Sequence, residues 1–435
     1  MKKVAFNTLG CKVNQYDTES MMKLFEEAGY EIVDFKDKAD VYVINTCTVT
    51  HEGARKSRQM ARQAKRRNPE SIVAVVGCYA QVAPDEVIKI DGVDLVVGTK
   101  SRNELVELVE KAKETDLPLN CVEAMEEKEE FEELPVEEFK GRTRAVIKVE
   151  DGCNQYCSYC IIPYARGPVR SRRPGNAVKE IQTLVQVGVK EVVLTGIHLG
   201  AYGQDLGPDM NLVELIKMLI KIEGLERIRL SSIEITEVDD EMIDLLANEP
   251  KFCPHLHLPL QSGSDTILKA MNRPYTTEEF ASVVEKIRSR VPDIAITTDV
   301  MVGFPGETDE LFEETYRFIE KIGFSQLHVF KYSIRQGTPA AKMKNQVSHQ
   351  VKNVRSEKLR LLGERLTLEY NQKFLNKVLP VLIEEERDQS TGMLTGVTPN
   401  YIRVYIDEES NKVKGKILPV KLVKSYGTKA VLGKL

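Results

Sequence analysis

Two long stretches of this chain alternate short apolar runs with helical patterns, and that alternation leaves few folds open. Over residues 1–115, runs at 4–9, 41–45, 72–77 and 95–98 read as buried strands, with helices over 16–28, 52–67, 80–89 and 101–114. Strands separated by helices pair in parallel, and the helices cover the sheet. The pattern resumes at residue 144, with strands at 145–150, 192–195, 228–231, 255–260, 294–302 and 327–332 and helices at 176–188, 212–223, 239–247, 276–290 and 309–321. Six β/α units fall short of the eight of a closed barrel, so a partial (β/α)6 barrel is expected. A helix over 347–374 follows, rich in Leu, Arg and Glu. Short strands within 379–386, 392–407 and 413–433, broken by turns such as Thr391-Gly392 and Pro399-Asn400, then predict a small antiparallel β-barrel. The expected fold class is α/β, with a parallel-sheet amino-terminal domain (1–115), an acidic linker (116–142), the partial barrel (143–371) and the small β-barrel (372–435).

Cysteines punctuate this scheme. Cys153, Cys157 and Cys160 stand in Glu150-Asp-Gly-Cys-Asn-Gln-Tyr-Cys-Ser-Tyr-Cys160. That places them just past the first barrel strand, on the face where β/α barrels carry their active sites. The C-x3-C-x2-C spacing supplies three thiolates to a [4Fe–4S] cluster, and the fourth iron stays open to the donors of a small molecule. A structural zinc site wants four ligands, usually as two pairs, and the next cysteine is as far off as Cys253. Cys11, Cys47 and Cys78 each follow the carboxyl end of a predicted strand in the first domain. Parallel sheets place their ligand crevice at that edge, so these thiols are expected to converge on a shared metal site. Cys121, in the linker, has no evident partner.

Hydrophobic residues make up 42% of the chain and charged residues 29%, the balance of a globular protein. No apolar run approaches the ~20 residues of a membrane span, and the opening Met-Lys-Lys-Val-Ala-Phe-Asn is too short for a signal peptide. A cytoplasmic monomer with no membrane partner is the expectation, its cysteines serving metal or redox chemistry. The net charge of −5 is unevenly spread. Residues 123–140 hold nine glutamates, whereas 55–67 hold seven basic residues and no acid, and 411–435 hold seven lysines and no acid. Arg55, Arg58, Arg62 and Lys65 recur at helical spacing soon after Cys47, and Arg166, Arg170, Arg172 and Arg173 follow the other triad. Two such strips suit a polyanion, although a solvated basic face is the blander alternative. Lys412, Lys414, Lys416, Lys421 and Lys424 with Tyr401 and Tyr405 offer charge and stacking surfaces on the small barrel.

Three cysteines in an α/β domain, a C-x3-C-x2-C half-barrel and a terminal β-barrel, in that order, resemble the radical S-adenosylmethionine (SAM) methylthiotransferases. The strings Thr8-Leu-Gly-Cys-Lys-Val-Asn-Gln-Tyr-Asp-Thr-Glu19, Asn45-Thr-Cys-Thr-Val49, Gly77-Cys-Tyr-Ala-Gln81, Leu258-Pro-Leu-Gln-Ser-Gly-Ser264 and Gly303-Phe-Pro-Gly-Glu-Thr308 carry the likeness. It covers almost the whole chain, and the six cysteines match residue by residue. The resemblance implies two [4Fe–4S] clusters. One, on Cys153, Cys157 and Cys160, binds SAM and cleaves it to a 5′-deoxyadenosyl radical. The auxiliary cluster, on Cys11, Cys47 and Cys78, carries the sulfur that a second SAM methylates. The last domain is then an RNA-binding TRAM module. Gly10-Cys-Lys-Val-Asn-Gln15 and the string from Gly152 to Pro168 are most similar to the branch acting on threonylcarbamoyladenosine in tRNA. That branch methylthiolates C2 of adenosine 37, in the anticodon stem-loop. Branches acting on isopentenyladenosine or on a ribosomal protein are the alternatives, and a non-catalytic iron–sulfur RNA-binding protein is a third. For SAM, Tyr159 is expected beside the adenine and Thr195-Gly196 beside the methionine amine, since glycine admits close approach. Glu234 is expected at the ribose or ammonium, with Thr298 and Asp299 on the barrel interior. Asn14, Asn45 and Gln81 are candidates to hydrogen-bond cluster sulfides, whereas His198, His255 and His257 read as satisfied buried histidines. The chemistry also calls for an electron donor, such as a flavodoxin or ferredoxin, and a sulfur donor.

Overall fold

The structure is a computed structural model and describes residues 1–48, 51–126, 129–134 and 143–435. Val49, Thr50 and parts of the expected linker lie outside the described residues. The chain divides into two compact units. Described residues of the first fall within 1–137, 148–172 and 333–341, and those of the second within 138–147, 173–332 and 342–435.

The first unit is built on β1 (Lys3–Thr8), α1 (Lys12–Glu27), β2 (Glu31–Val33), β3 (Val41–Thr46), α2 (His51–Arg67), β4 (Ile72–Gly77), α3 (Cys78–Val82), α4 (Pro84–Val87), β5 (Leu95–Val97), α5 (Leu105–Lys113) and β6 (Leu119–Asn120). Among the described residues the six strands form one sheet in the order β2-β1-β3-β4-β5-β6, and its pairs are parallel. Every residue of β3 is buried, as a strand covered on both faces requires. Strand alternation sends Tyr42, Ile44, Val73 and Val75 to the α2 side, where Ala61 and Ala64 meet them. Val41, Val43, Ala74 and Val76 face Met21, Phe25, Leu105 and Val109 of α1 and α5. The helix expected over 80–89 is interrupted at Ala83–Pro84, because proline lacks the N–H that would continue it. The edge strands β2 and β6 were not expected and are only three and two residues long.

After β7 (Arg144–Lys148), the first unit is completed by β8 (Glu150–Asp151), α6 (Ile162–Arg166) and β9 (Arg170–Ser171), with β8 and β9 antiparallel. The second unit continues through α7 (Pro174–Gln186), β10 (Glu191–Thr195), α8 (Leu212–Ile220), β11 (Arg227–Leu230), α9 (Asp240–Asn248), β12 (His255–His257), α10 (Asp265–Ala270), α11 (Thr277–Arg290), β13 (Ala295–Val302), α12 (Asp309–Ile322), β14 (Gln326–Lys331) and α13 (His349–Gln372). Its strands form two rows, β7-β10-β11 and β12-β13-β14, joined by parallel bridges Ile228–Phe252 and Ser232–His257. The result is an open half-barrel of six strands, as the sequence predicts.

The last strands, β15 (Val378–Arg387), β16 (Leu394–Val397), β17 (Arg403–Ile406), β18 (Ile417–Tyr426) and β19 (Ala430–Lys434), close on themselves in the order β15-β16-β17-β19-β18. The expected barrel was wholly antiparallel, but the β17–β19 pair is parallel. Its turn around residues 397–401 docks within the second unit. The carbonyls of Val397, Thr398 and Pro399 accept hydrogen bonds from Arg227 and Arg229 of β11 at 3.0, 3.2 and 2.9 Å. Tyr401 stacks on His255 at 4.2 Å, beneath the Arg229 guanidinium. Tyr401 is thus engaged by protein rather than presented for a nucleobase.

Candidate iron–sulfur centre

Cys11 is the N-cap of α1, Cys47 follows the last residue of β3 and Cys78 opens α3 directly after β4. Parallel pairing of β1, β3 and β4 brings these three strand ends to one edge. Contacts place Cys11 and Cys78 around one side chain and Cys47 beside the turn before Cys11. The Asn14 Oδ1 lies 4.0 Å from both the Cys11 and the Cys78 Sγ, and a methyl group on Gly10 would come within 3.0 Å of the Cys47 Cβ. Gly77 holds φ at +92°, and a side chain there would strike the Asn45 amide, so the turn delivering Cys78 requires glycine.

The amides expected to hydrogen-bond cluster sulfides are engaged elsewhere. Asn14 donates its Nδ2 to the Leu9 and Thr46 carbonyls at 2.8 and 3.0 Å. Asn45 donates to the Asn14 carbonyl and the Thr18 hydroxyl. Gln81 donates to the Glu123 carbonyl and accepts from the Thr99 N–H. Their donors are spent on the scaffold, where they tie β1 to β3 and the end of β5 to α3.

Cys153, Cys157 and Cys160 occupy one loop between β8 and α6. The Cys153 N–H donates to the Gly167 carbonyl at 3.0 Å, and the Cys160 N–H to the Cys157 carbonyl at 2.9 Å. The Gln155 N–H points at the Cys153 Sγ at 3.4 Å. Gly152, at φ +93°, packs so tightly on the Pro168 carbonyl that no side chain fits. The Ala340 N–H donates to the Ser158 carbonyl at 2.8 Å, so segment 333–341 braces the loop. Cys157 is buried, whereas Cys153, Cys160 and Tyr159 are half-buried.

Both triads therefore belong to the first unit, and a buried ionic cluster lies within it. Asp17 and Asp151 are each 2% exposed, and both bind Lys148 and Arg166. Arg102 pairs with Asp17 and, at 2.7 Å, with Glu132. Burial pushes both aspartates toward higher pKa, but the surrounding guanidinium and ammonium groups outweigh it and hold them below the usual carboxylate range. Arg166 also donates to the Asn14 Oδ1 at 2.6 Å and, through Nε, to the Cys78 Sγ at 3.3 Å. Burial pushes the Cys78 thiol up, opposed by that guanidinium. An N–H of a fixed cation aimed at sulfur suits a thiolate, the form that binds iron. Three cysteines at each site supply three thiolates, which suits a [4Fe–4S] cluster with one iron left for another ligand.

None of this cluster was anticipated, although Lys148 inside a buried strand was a signal. It also corrects one basic strip. Arg166, Arg170 and Arg172 are 0%, 4% and 1% exposed and bonded to the protein's own carboxylates and carbonyls, so they offer phosphates no surface. Only Arg173 of that strip is exposed. On α2, Arg55 and Arg62 are exposed and Arg58 is bonded to the Tyr79 hydroxyl. Lys65 is instead drawn back to Asp94 and the Ser71 carbonyl at 2.9 and 2.6 Å. Lys416 is exposed and Lys414 half-buried, and neither makes an ion pair among the described residues.

In the second unit, Thr195 ends β10 and is buried, with Gly196 half-buried beyond it. Glu234 is committed to Arg273 and to a capping box with Glu237, which accounts for its carboxylate without a ligand. Thr298 is corrected outright. Its hydroxyl donates to the Leu258 carbonyl at 2.6 Å and accepts from the Leu260 N–H, stitching β13 to the end of β12. Thr298 pairs in register with Leu327, which packs on Gly363 of α13, so it faces the helical layer. Asp299 and its partner His328 face the concave side. There the Asp299 carboxylate sits 3.1 Å from the His257 Nε2 and 3.2 Å from the His328 Nδ1. His257 completes its bonding with the Thr297 hydroxyl at 2.8 Å, the satisfied histidine expected. Within the described residues, no helix is long and apolar enough to cross a membrane.

Comparison with known proteins bears on the whole chain. A model of the Radical SAM superfamily matches residues 147–319, and one described as "Uncharacterized protein family UPF0004" matches residues 3–98. The threonylcarbamoyladenosine tRNA methylthiotransferase MtaB of Bacillus subtilis is 48% identical over 98% of this chain and 94% of its own. Its counterpart in Aquifex aeolicus is 46% identical over 96% and 99%. A tRNA-2-methylthio-N(6)-dimethylallyladenosine synthase of Alkaliphilus oremlandii is 36% identical over 100% and 89%. The radical SAM methyltransferase TsrM of Kitasatospora setae shares the fold at a TM-score of 0.58 and 17% identity, over 78% of this chain and 77% of its own. With relatives this similar across nearly their full length, and both cysteine triads held in the first unit, the chain belongs to the radical SAM methylthiotransferases, in the branch of the threonylcarbamoyladenosine tRNA methylthiotransferases.

Proposed function

We propose that this chain adds a methylthio group to C2 of N6-threonylcarbamoyladenosine at position 37 of tRNA. The observation that carries the reading is the pair of cysteine triads, each leaving one iron open, in a chain 48% identical to an enzyme of that name. Bound clusters and SAM supply radical cleavage and the sulfur to be methylated, chemistry that the barely acidic C2 hydrogen requires. The chain's residues hold and shield these groups. Cys153, Cys157 and Cys160 take the radical-generating cluster, and Cys11, Cys47 and Cys78 the auxiliary one. The tight turns at Gly152 and Gly77 bring backbone close around both. Tyr159, Thr195, Gly196 and Asp299 are the residues left to contact SAM. Arg55, Arg58, Arg62, Arg173, Lys414 and Lys416 engage phosphates of the anticodon stem-loop, because basic side chains at or near the surface displace the counterions condensed on nucleic-acid phosphates. The protein works as a cytoplasmic monomer supplied by a flavodoxin or ferredoxin and by a sulfur donor.

Mass spectrometry of tRNA nucleosides from a deletion strain tests the substrate. The methylthio-threonylcarbamoyl nucleoside should vanish and return with the wild-type gene but not with Cys157→Ala. Its persistence, or loss of the isopentenyl product instead, would reject the assignment. Anaerobically reconstituted protein should hold about eight irons, and a zinc-only protein would favour a non-catalytic RNA-binding role.

A further inference from the structure

Arg166 is fully buried, yet its charge is not wholly absorbed by carboxylates. Nη1 binds Asp17 and Asp151 at 3.1 and 2.9 Å, Nη2 binds the Asn14 Oδ1, and Nε is left for the Cys78 Sγ at 3.3 Å. Its backbone is pinned on either side. The Ala165 carbonyl accepts from the Thr99 hydroxyl at 2.7 Å, and the Gly167 carbonyl accepts from the Cys153 N–H. The residue comes six positions after Cys160 on the loop of one triad, and its guanidinium ends on a cysteine of the other.

We infer that Arg166 sets the reduction potential of the cluster held by Cys11, Cys47 and Cys78, acting as a positioning residue through the Cys78 sulfur. The inference rests on the reading of those cysteines as cluster ligands. Reduction adds one negative charge to an iron–sulfur cluster, and a cation hydrogen-bonded to a ligand sulfur stabilises that added charge. Hydrogen bonds to the sulfurs are among the established controls of cluster potential. Because the guanidinium is excluded from solvent, salt does not screen it as it would a surface cation. Asp17 and Asp151 fix its geometry and offset part of its charge. The cation that tunes the auxiliary site is thereby carried by the segment that holds the other triad.

The test uses the full chain carrying Cys153→Ala, Cys157→Ala and Cys160→Ala, which retains only the first triad. After anaerobic reconstitution it should bind about four irons, and its potential is read by a redox titration followed by electron paramagnetic resonance. Adding Arg166→Gln should lower the potential with the iron content kept, and Arg166→Lys should fall between the two. Full iron content with an unmoved potential in Arg166→Gln overturns the inference. Should that variant lose its iron, Asp151→Asn decides. With less of the guanidinium charge offset, the potential must rise, and a value unmoved or lowered overturns the inference equally. A parent protein that binds no iron defeats the cluster reading itself, and this inference with it.

Discussion

The two cysteine triads are assembled by opposite means. Cys153, Cys157 and Cys160 lie in one loop, so local hydrogen bonds and a single glycine turn suffice to gather them. Cys11, Cys47 and Cys78 are spread over more than sixty residues and meet only because β1, β3 and β4 pair in parallel. One site is a property of a short peptide, the other of a folded sheet. The difference teaches where each is fragile: the loop to backbone changes, the sheet-borne site to anything that loosens the unit beneath it.

The largest effect that separates them is chemical. Cys157→Ala and Cys78→Ala should each drop the methylthiolated nucleoside to background, but only Cys157→Ala should also abolish release of 5′-deoxyadenosine. If Cys78→Ala silences that release as well, the two sites are not functionally separate. Next comes Asp17→Asn, which leaves Lys148, Arg102 and Arg166 short of a buried partner. Breaking such a pair costs about 3–5 kcal/mol, readable by denaturant unfolding of the iron-free protein. The same carboxylates predict acid sensitivity. Their folded pKa values are depressed, so their stabilisation is complete above roughly pH 4 and is lost as pH falls below it. Equal stability at pH 7 and pH 3 would refute that coupling. Gly152→Ala is third. It forces a non-glycine residue to positive φ, a cost of roughly 1–2 kcal/mol before any collision, and should lower iron from about eight to about four per chain. Gly77→Ala should remove the other four, and loss of all iron in either variant would mean that the sites assemble together. The smallest effect concerns RNA. Arg62→Ala should weaken tRNA binding several-fold and reduce the salt slope by about one, whereas Arg172→Gln should leave the slope unchanged.

The strand-and-helix frame and the close Cys153–Cys160 spacing were legible because both are local signals, whereas grouping Cys11, Cys47 and Cys78 depended on the expected parallel sheet. The two basic strips looked alike in sequence and are not. Arg62 lies on an exposed helix face, while Arg166, Arg170 and Arg172 are drawn inward by Asp151, Glu129 and Glu133, residues that only the fold brings near. Thr298 and Asp299 were both assigned to the interior, yet neighbours on a strand point to opposite faces, and Asp299 alone met that expectation. Asn14, Asn45 and Gln81 stand close to the cysteines in sequence, but they donate to backbone carbonyls that no spacing rule reveals. Charge pairing across long sequence separations is the information missing from a single chain.

The turn over residues 397–401 makes the carboxy-terminal barrel a stopper. An open half-barrel leaves one end unsealed, and here Arg227 and Arg229 would stand bare beside Glu191 without the Val397, Thr398 and Pro399 carbonyls. Truncating the terminal module would therefore uncork the half-barrel and bare two buried arginines.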